Sequence, residues 1–311
     1  MRAVVVRTVG GPEALEIVDV PVPVPGAGQV RVRVEAATVN PVDAATRSGD
    51  LVSAGLLPPR DVIGIGWDVA GRVDEVGAGV TEFAPGDRVI GVRDRLDLSL
   101  GTYAEYVVLD ATAVAAAPSR LSPAEAATLP LNGLTALQAL DRLGLEPGAT
   151  LLVTGAAGAV GGFAVELAAL RGLRVVGSAG EGDEAFVRAA GARWFVPRSR
   201  EVAEAVRELV PGGVDAVLDA AVVGMPALGA VRNRGAFVSV VGGAAPVPLR
   251  GITVIEQWIA ADADELGRLA SLADAGRLTV RVAGTMPLRE AAGAHRRLAE
   301  GGVRGRLVLT P

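Results

Sequence analysis

The chain has 311 residues, of which 50% are apolar and 3% aromatic, with a formal net charge of −5 and no cysteine. That length predicts two domains with ample core, while the missing thiols exclude disulfides, cysteine–zinc sites and cysteine nucleophiles. All 30 basic residues are arginine and His295 is the single histidine, which excludes lysine Schiff bases and imidazole metal clusters, and the acidic balance leaves no footprint for nucleic acid.

Residues 1–8 read as a first strand and not as a signal peptide, and no apolar run reaches the roughly 20 residues of a membrane span. The expectation is a soluble, cytoplasmic protein. Pro21, Pro23 and Pro25 punctuate an extended connection. Residues 30–35 (VRVRVE) alternate with period two, as a half-buried strand does. Residues 68–77 and 87–91 are further strands broken by glycine, and residues 103–109 alternate again, so positions 1–115 are β-rich. A helix start follows, with Ser122 as N-cap, Pro123 in the first turn and Glu125 three residues after the cap. Another helix is predicted over 134–143, closed by Gly144.

Residues 150–162 (TLLVTGAAGAVGG) carry the most information. β-prone residues run into a small-residue turn that opens a helical pattern, the sequence form of a strand, a phosphate-cradling loop and a helix N-terminus. Its spelling is Ala156-x-Gly158-x-x-Gly161, with Ala159 and Val160 opening the helix. Small residues let backbone N–H groups approach a pyrophosphate, and the helix dipole favours the anion. Further strands are predicted at 173–177, 193–196, 214–219 and 235–242, with helical patterns between them, which gives a doubly wound parallel sheet. Beyond 242 the alternation fades: 252–255 reads as a strand, 262–275 as a helix and 306–310 as a final strand. The division is 1–118 with 250–311 for one domain and 119–249 for the nucleotide domain.

These residues resemble a known family. Positions 37–43 (ATVNPVD), 66–71 (GWDVAG), 76–80 (VGAGV), 85–90 (PGDRVI), 101–106 (GTYAEY), 129–136 (LPLNGLTA), 154–162 and 305–308 (GRLV) are similar to segments of the medium-chain dehydrogenase/reductase superfamily, in its zinc-independent quinone oxidoreductase branch. The resemblance implies an α/β chain with a β-rich GroES-like catalytic domain and a Rossmann dinucleotide-binding domain. Zinc-containing relatives carry a Cys near 38 and Gly-His-Glu near 66–68; this chain has Thr38, Gly66, Trp67 and Asp68. The implied activity is hydride transfer from NADPH to a quinone or an α,β-unsaturated carbonyl, acceptors electrophilic enough to react without a Lewis acid. An enoyl-thioester reductase and a low-turnover NADPH-binding sensor or structural protein are the alternatives.

The resemblance assigns Asn40 to the developing oxyanion, against a plain turn residue before Pro41. It places Thr135, Val241 and Gly242 beside the nicotinamide. Asp43 and Thr46 read as a helix start, Tyr103 and Tyr106 as packing residues, and His295 as structural or exposed. For the cofactor, NAD-preferring folds set an acid about 20 residues beyond the loop. Here the second strand ends at Ser178, with Arg198 beyond it to meet a 2′-phosphate, while Glu181, Asp183 and Glu184 depart from the pattern. The strand at 252–255 is a suitable edge for a homodimer.

Overall fold

Branched apolar residues alternating with charged ones build the first strands, because a pleated strand sends successive side chains to opposite faces. The computed structural model describes residues 1–311, starting with β1 (Arg2–Val6), β2 (Glu16–Asp19) and β3 (Gln29–Thr38). Val30, Val32 and Val34 of β3 are buried. There follow α1 (Pro41–Ser48), α2 (Asp50–Ser53), β4 (Ile63–Gly64), β5 (Asp68–Val76), β6 (Arg88–Val92), β7 (Tyr106–Asp110), β8 (Val114–Ala116) and α3 (Pro123–Ala126). Ser122 caps α3 as predicted: it accepts from the Glu125 N–H at 3.3 Å, and its own N–H donates to Glu125 at 2.9 Å. The strand expected from residue 103 begins at Tyr106 instead. Tyr103 belongs to an earlier crossing, where its N–H donates to Ile65 and its carbonyl accepts from Val4.

The middle of the chain supplies α4 (Pro130–Leu143), β9 (Thr150–Thr154), α5 (Ala159–Leu170), β10 (Arg174–Ala179), α6 (Glu184–Ala189) and β11 (Trp194–Pro197). It continues with α7 (Val202–Leu209), β12 (Val214–Asp219), α8 (Met225–Ala230), β13 (Val231–Ser239) and β14 (Thr253–Glu256). Helix α4 begins four residues before the predicted start, since Pro130 is tolerated in a first turn. The six strands form one parallel sheet in the order β11-β10-β9-β12-β13-β14, the doubly wound arrangement that binds ligands at the carboxyl ends of its strands. Helices on both faces explain why all five residues of β9 are buried.

The remainder is α9 (Ala263–Asp274), β15 (Val282–Pro287), α10 (Ala291–Ala299) and β16 (Arg306–Thr310). Strand β16 lies antiparallel to β3 and parallel to β15, so the tail completes a sheet ordered β15-β16-β3-β5-β6-β8, with β7 also on β3. Strands β2, β1 and β4 form a separate small sheet. The chain divides into two compact units, Met1–Leu131 with Ala260–Ala275 and Val280–Pro311, and Asn132–Ile259 with Gly276–Thr279. The predicted lines stood at 118/119 and 249/250. They shift because α3 packs on β3 and β5 while β14 pairs with β13. No helix is long and apolar enough to cross a membrane.

Candidate active site

In the second unit, β9 runs into the turn at 155–158 and α5 starts at Ala159, with Gly158 as its N-cap. Gly155 adopts φ 61°, and a Cβ on Gly161 would stand 2.1 Å from the Gly155 carbonyl oxygen. Only a glycine at 161 lets the helix sit this close to the turn. Gly158 has no side chain to cap α5, which leaves its first N–H groups to be met by something other than a capping oxygen. The neighbouring loop is fixed by Asp219: it accepts from the Thr154 hydroxyl at 2.5 Å and from the N–H groups of Val223 and Gly224 at 3.1 and 2.7 Å.

Ala156 and Ser178 are brought together, since the Ala156 N–H donates to the Ser178 carbonyl at 2.9 Å. Ser178 is buried near the end of β10. Arg198 stands beside it: its N–H donates to the Ala179 carbonyl at 2.7 Å, and its Nε lies 4.0 Å from the position of a Cβ on Gly180. Two of the three acids that depart from the pattern are engaged elsewhere. Glu184 pairs with Arg188 at 2.7 Å, and Glu181 accepts from the Ser199 hydroxyl at 2.8 Å. Asp183 stays close, with Oδ2 3.0 Å from that same Gly180 position.

Thr135 is buried within α4, one turn before Gln138. Val241 and Gly242 do not end their strand as expected: β13 stops at Ser239, and both lie in the turn beyond. The space beside Gly242 is filled as well, because a Cβ there would meet the Trp258 ring at 2.4 Å. The Trp258 indole N–H donates to Glu256 Oε1 at 3.1 Å, and Glu256 Oε2 accepts from the Gly243 N–H at 3.0 Å. The ends of β13 and β14 are thereby clipped together.

In the first unit the polar residues converge on Asp68. Its Oδ2 accepts from the Thr38 hydroxyl and from the Asn40 amide at 2.7 Å, and its Oδ1 from the Leu131 N–H at 2.5 Å. The Asn40 amide also donates to Thr38 Oγ1 at 3.0 Å. Asn40 is 1% exposed, and its amide donates to both Thr38 and Asp68. It is the N-cap of α1, and its N–H donates to Asp43 at 2.7 Å. Asp43 and Thr46 thus serve the helix, the latter donating to the Val42 carbonyl.

Beneath this hub the Tyr103 hydroxyl donates to Asp43 Oδ2 at 3.3 Å, and His295 Nε2 lies 3.4 Å away. His295 Nδ1 faces Arg47 Nη1 at 3.1 Å. Since arginine only donates, Nδ1 is the acceptor and the ring proton resides on Nε2. Burial, reinforced by Arg47, pushes the imidazole down to about 4, and burial pushes the Asp43 carboxyl up to about 8. Burial raises Asp68 too, and its three donors oppose that. His295 is therefore a neutral, structural residue.

A family model described as "Alcohol dehydrogenase GroES-like domain" matches residues 26–119, and one described as "Zinc-binding dehydrogenase" matches residues 190–309. The chloroplast envelope quinone oxidoreductase homolog of Arabidopsis thaliana is 38% identical over 189 residues, 59% of this chain and 56% of that protein, so the match spans about half of that relative. The NAD-dependent alcohol dehydrogenase of Sulfurisphaera tokodaii is 31% identical, with 100% of both chains covered. A mycobacterial protein solved in complex with NADPH is 30% identical and covers 100% of both chains with a TM-score of 0.84.

The second family description implies zinc, and the donor set does not fit it. A catalytic zinc takes about three nitrogen, sulfur or carboxylate ligands. No three His, Cys, Asp or Glu side chains gather to hold an ion. Asp68 already accepts from three protein donors, and the histidine is enclosed by Arg47 and Tyr103. The Asp68 hub was not among the sequence expectations, although an acid inside the otherwise apolar and glycine run at 63–70 (IGIGWDVA) was a signal for it.

Proposed function

We propose that this chain, which belongs to the medium-chain dehydrogenase/reductase superfamily, is an NADPH-dependent reductase of quinones or α,β-unsaturated carbonyls that works without zinc. The observation that carries the acceptor class is the Asp68 carboxylate engaged by three protein donors. The positions that would serve a Lewis acid are spent on hydrogen bonds within the protein. An unactivated carbonyl needs such polarisation. A quinone or enone spreads the charge of the added hydride over its own conjugated system.

The turn at 155–158 and the start of α5 would hold the pyrophosphate, through backbone N–H groups and the helix dipole. Ser178 and Arg198 would bind the 2′-phosphate, Arg198 because it offers a fork of donors. Thr135, Val241 and Gly242 are assigned to the nicotinamide end. The bound nicotinamide supplies the hydride. Asn40 is a positioning residue that fixes Thr38 and Asp68, and the proton comes from solvent.

Asp183 beside Gly180 favours a second reading, in which an acid meets the ribose hydroxyls of NADH. Steady-state oxidation of NADPH and NADH against a benzoquinone, a 2-alkenal and an enoyl thioester tests both. NADPH with the quinone or alkenal is expected to lead by orders of magnitude; a preference for the thioester would assign the alternative reductase activity, and no turnover a sensor. Strand β14 ends the sheet with Val254 and Ile255 half-buried, an edge that pairing with a second copy would cover. A homodimer is expected in the cytoplasm; a monomeric mass by light scattering at micromolar concentration would contradict it.

A further inference from the structure

Arg93 follows β6 and is 5% exposed, although a guanidinium is rarely buried unless it is paired. Its backbone N–H donates to the Trp67 carbonyl at 2.8 Å, and Val92 before it pairs with Asp68 across β5 and β6. The side chain therefore starts at the end of the sheet that carries Asp68 with its Thr38 and Asn40 donors. A guanidinium has five donor hydrogens; here Nη2 alone is engaged, on the Leu98 carbonyl. Nε is buried with no partner, whereas Nη1, which meets no acceptor either, is not enclosed. Arg207, by contrast, spends Nε and Nη2 on the carbonyls of Gly229 and Val231, as an arginine that serves packing does.

A second cation stands on the same acceptor. Arg60 Nη1 donates to the Leu98 carbonyl at 2.8 Å, so two guanidinium groups share one neutral oxygen. The acids around them are engaged elsewhere: Asp97 accepts from Arg95 at 3.0 and 2.5 Å, and Asp94 from the Ala261 N–H at 2.7 Å. Burial, and then the charge of Arg60, push the Arg93 guanidinium down to about 10, so it stays cationic at neutral pH. A buried cation that is repelled by a neighbour and short of acceptors is costly, and an anion beside the pair relieves both the repulsion and the missing bonds. Such an anion reaches the pair along Arg60, which is half-exposed, beside the segment 94–99, whose residues alternate between half-buried and exposed.

We infer that Arg93 and Arg60 form a carboxylate site that selects acceptors carrying an acidic group, with Arg93 as the specificity-determining residue. The inference deepens the reading given above and rests on it: the acceptor is a conjugated carbonyl compound whose carboxylate takes the donors that Leu98 leaves open, Nη1 of Arg93 and the free nitrogens of Arg60. Asp68 and Asn40 stand at the same end of the sheet, so charge recognition and the proposed reacting end share one unit.

An ω-carboxy-2-alkenal and its methyl ester share one reacting group and differ in charge at the far end. Steady-state oxidation of NADPH is to be measured with both, over a series of chain lengths. At the best length the unaltered protein is expected to favour the acid in kcat/KM by at least about tenfold, the worth of one hydrogen bond to a charged group. Arg93→Met is expected to bring that ratio to about one or below, and Arg60→Met to lower it, with urea denaturation certifying that each variant is folded. If Arg93→Met does not fold, the half-exposed Arg60 decides. Equal kcat/KM for acid and ester in the unaltered protein overturns the inference and leaves the parent reading standing. So does an acid preference that survives in the folded variants. If neither these alkenals nor a benzoquinone is reduced, the parent reading falls and takes this inference with it.

Discussion

Replacing Arg198 with alanine removes the only cation proposed for the 2′-phosphate. Arg198 follows β11, and its backbone N–H donates to the Ala179 carbonyl at the end of β10 at 2.7 Å. Two nearby acids are engaged elsewhere, Glu184 with Arg188 and Glu181 with Ser199, while Asp183 stays close. A hydrogen bond to a charged group contributes about 1.5–3 kcal/mol when sheltered, but Arg198 is exposed, and exposed pairs fall toward about 1 kcal/mol. A loss of roughly 1–2 kcal/mol corresponds to about a 5- to 30-fold fall in kcat/KM for NADPH. NADH lacks the phosphate, so its kcat/KM is expected to stay within about twofold. Arg198→Lys should retain part of the preference as a point charge without the fork. The preference should also shrink with added salt, because the charges are exposed. Steady-state kinetics with one acceptor and both cofactors decide it. If the unaltered protein uses NADH as well as NADPH and Arg198→Ala changes neither, the reasoning is refuted.

Two further outcomes follow from the hub in the first unit. Asp68→Ala leaves the Thr38 hydroxyl, the Asn40 amide and the Leu131 N–H without their acceptor, and should cost about 3–5 kcal/mol in urea denaturation; a loss below about 1 kcal/mol would show that the hub relaxes. The second concerns pH. Burial raises Asp43 to about 8 from 3.8, so its contribution is intact below the unfolded value and is lost as pH rises toward about 8. His295, depressed to about 4 from 6.5, acts in the opposite sense and only below 6.5. From pH 6.5 to 8 the stability of Asp43→Asn should therefore gain on the unaltered protein by up to about 1.4 kcal/mol per pH unit. A pH-independent difference would contradict the protonated, buried carboxyl.

The nucleotide unit was legible because its signals are local. Strand β12 at 214–219 and the turn from Gly155 to Gly161 are specified by residues adjacent in sequence, so pattern and structure coincide. Ser178 lies in β10 and Arg198 follows β11, neighbouring strands of one sheet. The Asp68 hub was not legible, because Asp68 lies 30 residues from Thr38 and 63 from Leu131 and only the packed sheet brings them together. Asn40 shows the consequence: its segment matched a family pattern, and only the folded chain shows its amide on Thr38 and Asp68. At the end of β13 the apolar run through Val241 suggested a longer strand. Trp258, sixteen positions beyond Gly242, packs on Gly242 in the turn that follows, and no local pattern announces such a contact. Arg93 was invisible for a related reason, because a buried cation short of acceptors is defined only once its neighbours are in place.

The central claim is that this chain reduces a conjugated acceptor with NADPH and needs no metal to do so. After dialysis against a chelator, kcat/KM is to be compared for NADPH with a benzoquinone and for NAD with a secondary alcohol. The expected result is sustained quinone reduction at the undialysed rate, with alcohol oxidation lower by orders of magnitude. Alcohol oxidation with NAD that is lost on chelation and restored by zinc would contradict the account.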